Sequence, residues 1–219
     1  MQPQASPKMP NPPPPPHRLG CVSFLNSKPL IDPLVGRPDV DIRFAVPSQL
    51  LPMIERGDVS TGLLSVVDYH ESTADLWLVP AGMIGCDGPT LTVRVFSKVP
   101  PDRISDIHGD TDSHTSVTLA RVILRQRHGR DTRLIPLAAP PAPGRPQTLP
   151  ETLLLIGDKV VNAAPDPRDY PHQLDLGEEW KALTGLPFVF AMWMMRRDAV
   201  DLELAHMLAD ARRRGAAIT

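Results

Sequence analysis

Short apolar runs alternate with stretches of helical periodicity along the first third of this chain, and that alternation limits the fold more than any other feature. Leu19 to Ser23 is a buried-strand candidate, and Phe24 to Pro29 reads as a turn or helix start. Val40 to Val46 alternates around Ile42, Phe44 and Val46, as a strand does. Pro47-Ser48 then opens a helix, with Ser48 as N-cap and Leu50, Leu51 and Ile54 on one face, stopped by Gly57-Asp58. Thr61 to Val67 is apolar again and reads as a buried strand. Strand, helix, strand, helix, strand in this order predicts a parallel sheet covered by helices on both faces.

The pattern continues less regularly. Leu91 to Phe96 reads as a strand and Arg103 to Ile107 as a short helical turn. His114 to His128 is the strongest helix, with Val117, Leu119, Ala120, Val122, Ile123 and Leu124 on a broad apolar face and Gly129 at its end. Arg133 to Leu137 is a strand candidate. Pro136 to Pro150 is dense in proline, alanine and glycine and reads as an inserted, mobile loop. Leu153 to Ile156 is a buried strand and Leu174 to Leu176 a short one. Gly177 to Thr184 is a helix with Trp180 and Leu183 turned inward. Phe188 to Met194 is a long strand, and Asp198 to Arg214 a closing helix capped by Asp198 and stopped by Gly215.

Two α/β lobes fit this order better than one continuous sheet. The reading places a proline-rich tail at residues 1–17, a first lobe at 18–92, a second at 93–188, and a return strand and helix to the first lobe at 189–219. A ligand would sit in the cleft, where strand ends and helix N-termini converge.

Composition excludes several classes. A chain of 219 residues with 42% hydrophobic content has enough apolar material for such a core. Its formal net charge of −2 gives no basis for a nucleic-acid partner. Arg212, Arg213 and Arg214 fall at a helix end, where positive charge favours the dipole. Cys21 and Cys86 are too few for a disulfide framework and sit in no metal-binding spacing, which points to a reducing, cytoplasmic setting. No apolar run approaches the roughly 20 residues that span a bilayer. Pro10 and Pro12 to Pro16 lack the basic start and apolar stretch of a secretory signal, and read as a disordered or polyproline tail. The expected partner is a small molecule, with neither nucleic acid nor membrane, and the chain is expected as a monomer or homodimer.

Five segments place polar residues where strands end and helices begin. Ser23-Phe24-Leu25-Asn26 offers a hydroxyl and an amide, although Asn26 also suits an ordinary helix cap. Ser65 ends a buried strand, with Asp68 and Tyr69 beyond it. Gly85-Cys86-Asp87-Gly88-Pro89-Thr90 is a rigid turn whose backbone N–H groups fit either a plain turn or a carboxylate site. Asp110-Thr111-Asp112-Ser113-His114-Thr115-Ser116 packs hydroxyls at the start of the strongest helix, a ready anion site. His114 is its one side chain that ordinarily titrates near neutral pH. Gly157-Asp158 follows a strand, and Asp158 suits either a cap or a ligand role. Dinucleotide, phosphate-loop, zinc-protease and serine-hydrolase signatures are absent from the sequence.

Taken in order, these segments resemble the chorismate dehydratase family of the futalosine route to menaquinone. Ser23 to Leu30 resembles its opening SYLN-x-KPL motif. Asp87-Gly88-Pro89 with Phe96-Ser97-Lys98 resembles its SDGP…FSK segment, and Thr111 to Leu119 its SSRTSV helix start. Ile156-Gly157-Asp158 matches its IGD, and Asp175 to Trp180 with Leu186 to Ala191 resembles its DLGEEW…LPFVFA stretch. Phe24, Cys86 and His114 stand where the family usually has tyrosine, serine and arginine, and family members generally continue beyond the segment ending at Gly215. The resemblance implies a two-lobed fold like type II periplasmic binding proteins, no metal and no cofactor, and loss of water from chorismate by a carbon–oxygen lyase.

With that reaction as the expectation, its chemical demands suggest roles for the polar residues. Asn26 and Ser23 would orient the ring and its leaving hydroxyl. Ser113, Thr115 and Ser116 would hold one carboxylate, and Gly88 with its neighbours Cys86 and Pro89 the other. Ser65, Gly157 and Asp158 would complete the binding wall. His114, Asp158 and a substrate carboxylate are the candidate bases. A small-anion binding protein of the same fold, the sister enzyme that makes 1,4-dihydroxy-6-naphthoate, and an inactive paralogue are the alternatives.

Overall fold

The computed structural model describes residues 16–109, 113–137 and 149–217. The proline-rich tail before Pro16, most of the loop between Pro136 and Pro150, and Asp110 to Asp112 lie outside the described residues.

The first sheet is built from strands β1 (His17–Cys21), β2 (Val40–Phe44), β3 (Thr61–Ser65), β4 (Leu76–Cys86) and β10 (Phe188–Arg196), in the order β2-β1-β3-β10-β4. The second is built from β5 (Val93–Ser97), β6 (Asp106–Gly109), β7 (Arg133–Pro136), β8 (Thr152–Ile156) and β9 (His172–Asp175), in the order β7-β6-β8-β5-β9. Helices α1 (Lys28–Ile31), α2 (Pro47–Glu55), α3 (Asp68–Glu71), α4 (His114–His128), α5 (Asp158–Asn162), α6 (Leu176–Thr184) and α7 (Leu202–Gly215) connect them.

The parallel core of the first sheet follows from its residues. β3 is buried at every position, so both its faces are covered, and it pairs in parallel with β1, as β2 does. β10 then runs antiparallel between β3 and β4, with Met192 opposite Leu64 on one side and Met83 on the other. The sequence pattern assigns no strand to residues 76–84. Pro80, Gly82 and Gly85 interrupt it, and they are tolerated because β4 is an edge strand.

Three further differences have local causes. α2 starts at Pro47, whose fixed φ suits the first helical position, so Val46 is the N-cap and Ser48 caps nothing. Asp106 to Gly109 forms a parallel strand rather than a helical turn. The closing helix begins at Leu202, not Asp198. Asp201 accepts from the Leu204 N–H at 3.0 Å, while Asp198 takes the Arg196 guanidinium in a preceding 3-10 turn.

Each sheet has its own core. Leu19, Ile54, Leu63, Leu64, Trp193 and Met194 are buried in the first, with Leu204, Leu208 and Ala211 of α7. Val95, Ile107, Ile123, Leu154 and Leu176 are buried in the second, and Phe188 and Phe190 of β10 pack against that core. β10 therefore belongs to one sheet by hydrogen bonding and touches both cores by its side chains.

α7 approaches α1 so closely that a Cβ on Gly215 would lie 1.7 Å from the carbonyl oxygen of Pro29. Gly215→Ala is expected to push α7 outward and lower stability by about 1–3 kcal/mol, the usual penalty of overpacking. Urea unfolding followed by circular dichroism measures it, and an unchanged midpoint contradicts the close approach.

Candidate active site

A cavity of about 420 Å³ lies between the two sheets. Asn26, Ser65, Cys86, Pro89, Ser113 and Ser116 line it together, so the structure brings half of the sequence-nominated residues to one place. Phe24, Leu63, Ile84, Val93, Ile156 and Phe190 form its apolar walls, with Thr90 and Thr92 adding hydroxyls.

Each polar lining residue is held by its own local chemistry. Asn26 sits in the 3-10 turn Leu25–Ser27. That turn is pinned by the Ser27 hydroxyl, which is buried and lies within hydrogen-bonding range of the carbonyls of Val22 (2.8 Å) and Phe24 (2.7 Å). Ser65 ends β3, where the strand leaves the sheet. Ser113 is the N-cap of α4: its oxygen accepts from the Ser116 N–H at 3.4 Å, and its hydroxyl donates to the Ser116 hydroxyl at 3.0 Å. Two hydroxyls thus stand at the positive end of a 15-residue helix.

The turn from Cys86 to Leu91 is held by Asp175, the first residue of the DLGEEW-like stretch, to which the sequence alone assigns no role in the site. Asp175 caps α6, accepting from the Gly177 and Glu178 N–H groups, and also takes the N–H groups of Thr90 at 2.8 Å and Leu91 at 2.7 Å. Arg94 stands 3.6 Å from its second oxygen. Burial pushes the Asp175 carboxyl up, but the backbone donors outweigh it and hold it below the usual range. Leu91 adopts φ 64°, a conformation that only a firmly held turn imposes on leucine. Asp175 is followed three residues later by Glu178, an N-terminal helix signature that was legible in the sequence.

The other nominated residues lie outside the lining. Gly88 is buried at φ 105° beside Asp87 and Pro89, and its carbonyl packs on Gly177. Gly157 is the N-cap of α5 and donates its N–H to Thr92 at 2.7 Å. Asp158 and Ser23 are exposed. Thr115 is buried and donates to the Phe190 carbonyl at 3.0 Å. His114 turns to the first lobe, its Nδ1 2.8 Å from Asp68. Burial pushes the Asp68 carboxyl up, and the His114 hydrogen bond offsets part of that. Asp68, Glu71 and His114 have ligand atoms within 4.8 Å of one another, a proximity that the direct histidine–carboxylate hydrogen bond accounts for.

Chemically, the cavity is an apolar slot with hydroxyls and one amide. Among the described residues its lining carries no Lys, Arg or His, and its one acid, Asp87, is paired with Lys181 at 2.6 Å. The Cys86 thiol is pushed up by burial and by Asp175, which favours its neutral form. An anion here would meet oriented dipoles, in the way a helix N-terminus binds one.

Two sheets with a ligand-sized cleft between them define the two-lobed class of folds like the type II periplasmic binding proteins. The chain superimposes on a protein from Archaeoglobus fulgidus with a TM-score of 0.62, at 12% identity, covering 92% of this chain and 75% of that one. It also matches the periplasmic aliphatic sulphonate binding protein of Escherichia coli with a TM-score of 0.56, at 16% identity, over 94% and 74% of the two chains. The chain belongs to the menaquinone biosynthesis family, whose model matches residues 17–218. A chorismate dehydratase from Thermus thermophilus is 28% identical over 221 residues, 91% of this chain and 78% of that protein. No helix among the described residues is long and apolar enough to cross a membrane.

Proposed function

We propose that this chain is a chorismate dehydratase, converting chorismate to 3-[(1-carboxyvinyl)oxy]benzoate and water in menaquinone biosynthesis. The observation that carries the reading is the meeting of Asn26, Ser65, Ser113 and Ser116 in one cavity with aromatic and aliphatic walls. The menaquinone biosynthesis family and the Thermus thermophilus relative support it. The thiols of Cys21 and Cys86 are free, which suits a cytoplasmic enzyme.

Chorismate is a cyclohexadiene ring, with one carboxylate on the ring and one on its ether side chain, one dehydration short of aromatic. The C–H bond on the ether-bearing carbon breaks, its electron pair enters the ring, and the neighbouring C–O bond breaks to release hydroxide, which leaves as water with a proton. The ring carboxylate acidifies that C–H bond through the diene, and aromatisation makes the step downhill. The protein's work is then to hold, orient and exclude water. Phe24, Ile84, Val93 and Phe190 suit the ring faces. Ser113, Ser116 and the α4 terminus hold one carboxylate. Asn26, on the opposite lobe, binds the departing hydroxyl. The titratable groups in the described lining are Asp87, paired with Lys181, and the Cys86 thiol, whose pKa burial raises, so a substrate carboxylate is the natural proton acceptor.

Incubation with chorismate is expected to give an aromatic ultraviolet band and a product lighter by one water. Binding without turnover would instead indicate a small-anion binding protein. Asn26→Ala is expected to lower kcat at least tenfold, about 1.4 kcal/mol of lost transition-state stabilisation. Wild-type turnover in that variant removes Asn26 from the mechanism.

A further inference from the structure

Asp68 is fully buried at the start of α3, three residues after the cavity-lining Ser65. One of its oxygens takes His114; the other has no hydrogen-bond partner. A buried carboxylate with one oxygen left unpartnered is destabilising, so its place here asks for a reason. What the carboxylate does is reach across the cleft. α3 follows the first sheet, whereas α4 contributes Val117, Leu119, Ala120 and Ile123 to the second core. His114 is the first residue of α4, adjacent to Ser113. Thr115 makes a parallel tie to the Phe190 carbonyl. Glu71, at 4.0 Å, is the other charged group facing the His114 ring.

We propose that Asp68, acting through His114, is a positioning residue: it fixes the first turn of α4 against the opposite lobe, so that Ser113 and Ser116 face Asn26 and Ser65 across the cavity. The inference rests on the chorismate reading for its kinetic consequence, but the pairing itself does not. It also gives His114 a role other than acid or base. The ring would hold the wall that binds a carboxylate in ground state and transition state alike, and loss of such binding raises KM with little change in kcat.

The experiment compares His114→Ala with His114→Asn, whose side-chain amide can occupy the place of Nδ1 and donate to Asp68. His114→Ala is expected to raise KM for chorismate at least tenfold with kcat within threefold. His114→Asn is expected to return KM to within threefold of that of the unsubstituted chain. Hydrogen exchange at the Ser116 and Val117 amides provides a readout that needs no substrate, and it is expected to be at least tenfold faster in His114→Ala than in His114→Asn. If the unsubstituted chain ignores chorismate, the functional reading fails while exchange still tests the pairing. Unchanged exchange in His114→Ala overturns the proposal. So does a loss of kcat shared by both variants, which would make His114 a proton-transfer group.

Discussion

Asp175→Ala is expected to destabilise the protein by about 3–5 kcal/mol, the range seen when one member of a buried charge network is removed. Four backbone donors converge on this carboxylate, from Thr90, Leu91, Gly177 and Glu178, and Arg94 stands beside it. Removing it leaves those donors, whose hydrogen bonds are partly to fully buried, without their partner, and frees the Cys86–Leu91 turn beside the cavity. Such a loss is a large part of the total stability of a domain this size. The same carboxylate gives a sign to the acid limb of stability. Its folded value lies below its unfolded one, so its contribution is fully present above the unfolded carboxylate pKa of about 3.9 and disappears as pH falls through the lower folded value. Urea unfolding at several pH values is expected to show a steeper loss below about pH 4 in the unsubstituted chain than in Asp175→Asn. Equal slopes would show that Asp175 titrates alike in both states.

Replacing Ser113 and Ser116 together with alanine is expected to raise KM for chorismate about 100-fold or more. On binding, the Ser113 hydroxyl would turn from Ser116 to the ligand; each hydroxyl that then donates to a carboxylate contributes about 1.5–3 kcal/mol, and each 1.4 kcal/mol is a factor of ten in binding. The helix itself should survive. Loss of the N-cap removes about 1 kcal/mol, which thermal unfolding registers separately from the kinetics. A double variant with unaltered KM and a lowered melting temperature would reduce the pair to helix caps and move the anion site elsewhere.

Much of the fold was legible because burial on both faces leaves continuous apolar runs. β3 and β8 consist of such runs, and α4 carries a cap at Ser113, an apolar stripe and Gly129 at φ 65°. What was not legible has physical reasons. β4 hides behind Pro80 and two glycines that only an edge position permits. The sequence does not place the start of α7, because Asp198 and Asp201 are the same residue type and only the Arg196 contact decides between them. In the site, Asn26, Ser65, Ser113 and Ser116 were visible as polar residues at strand ends and helix starts. Phe190 and the Asp68–His114 pair were not, because they depend on which strand lies beside which. The insertion of β10 between β3 and β4 leaves no mark in periodicity.

That insertion also bears on how the chain can complete its sheets as it is synthesised. Until residues 188–196 have been made, the first sheet has a gap between β3 and β4 that only they fill. The strands of the second sheet all lie between Val93 and Asp175, so that sheet has its full set while the chain is still being extended. Nascent domains ordinarily mature from the N-terminal side. Here the half that emerges first waits with an unpaired strand edge for the last strand, and the half that emerges second has all five of its strands before it, lacking only the Phe188 and Phe190 side chains of its core.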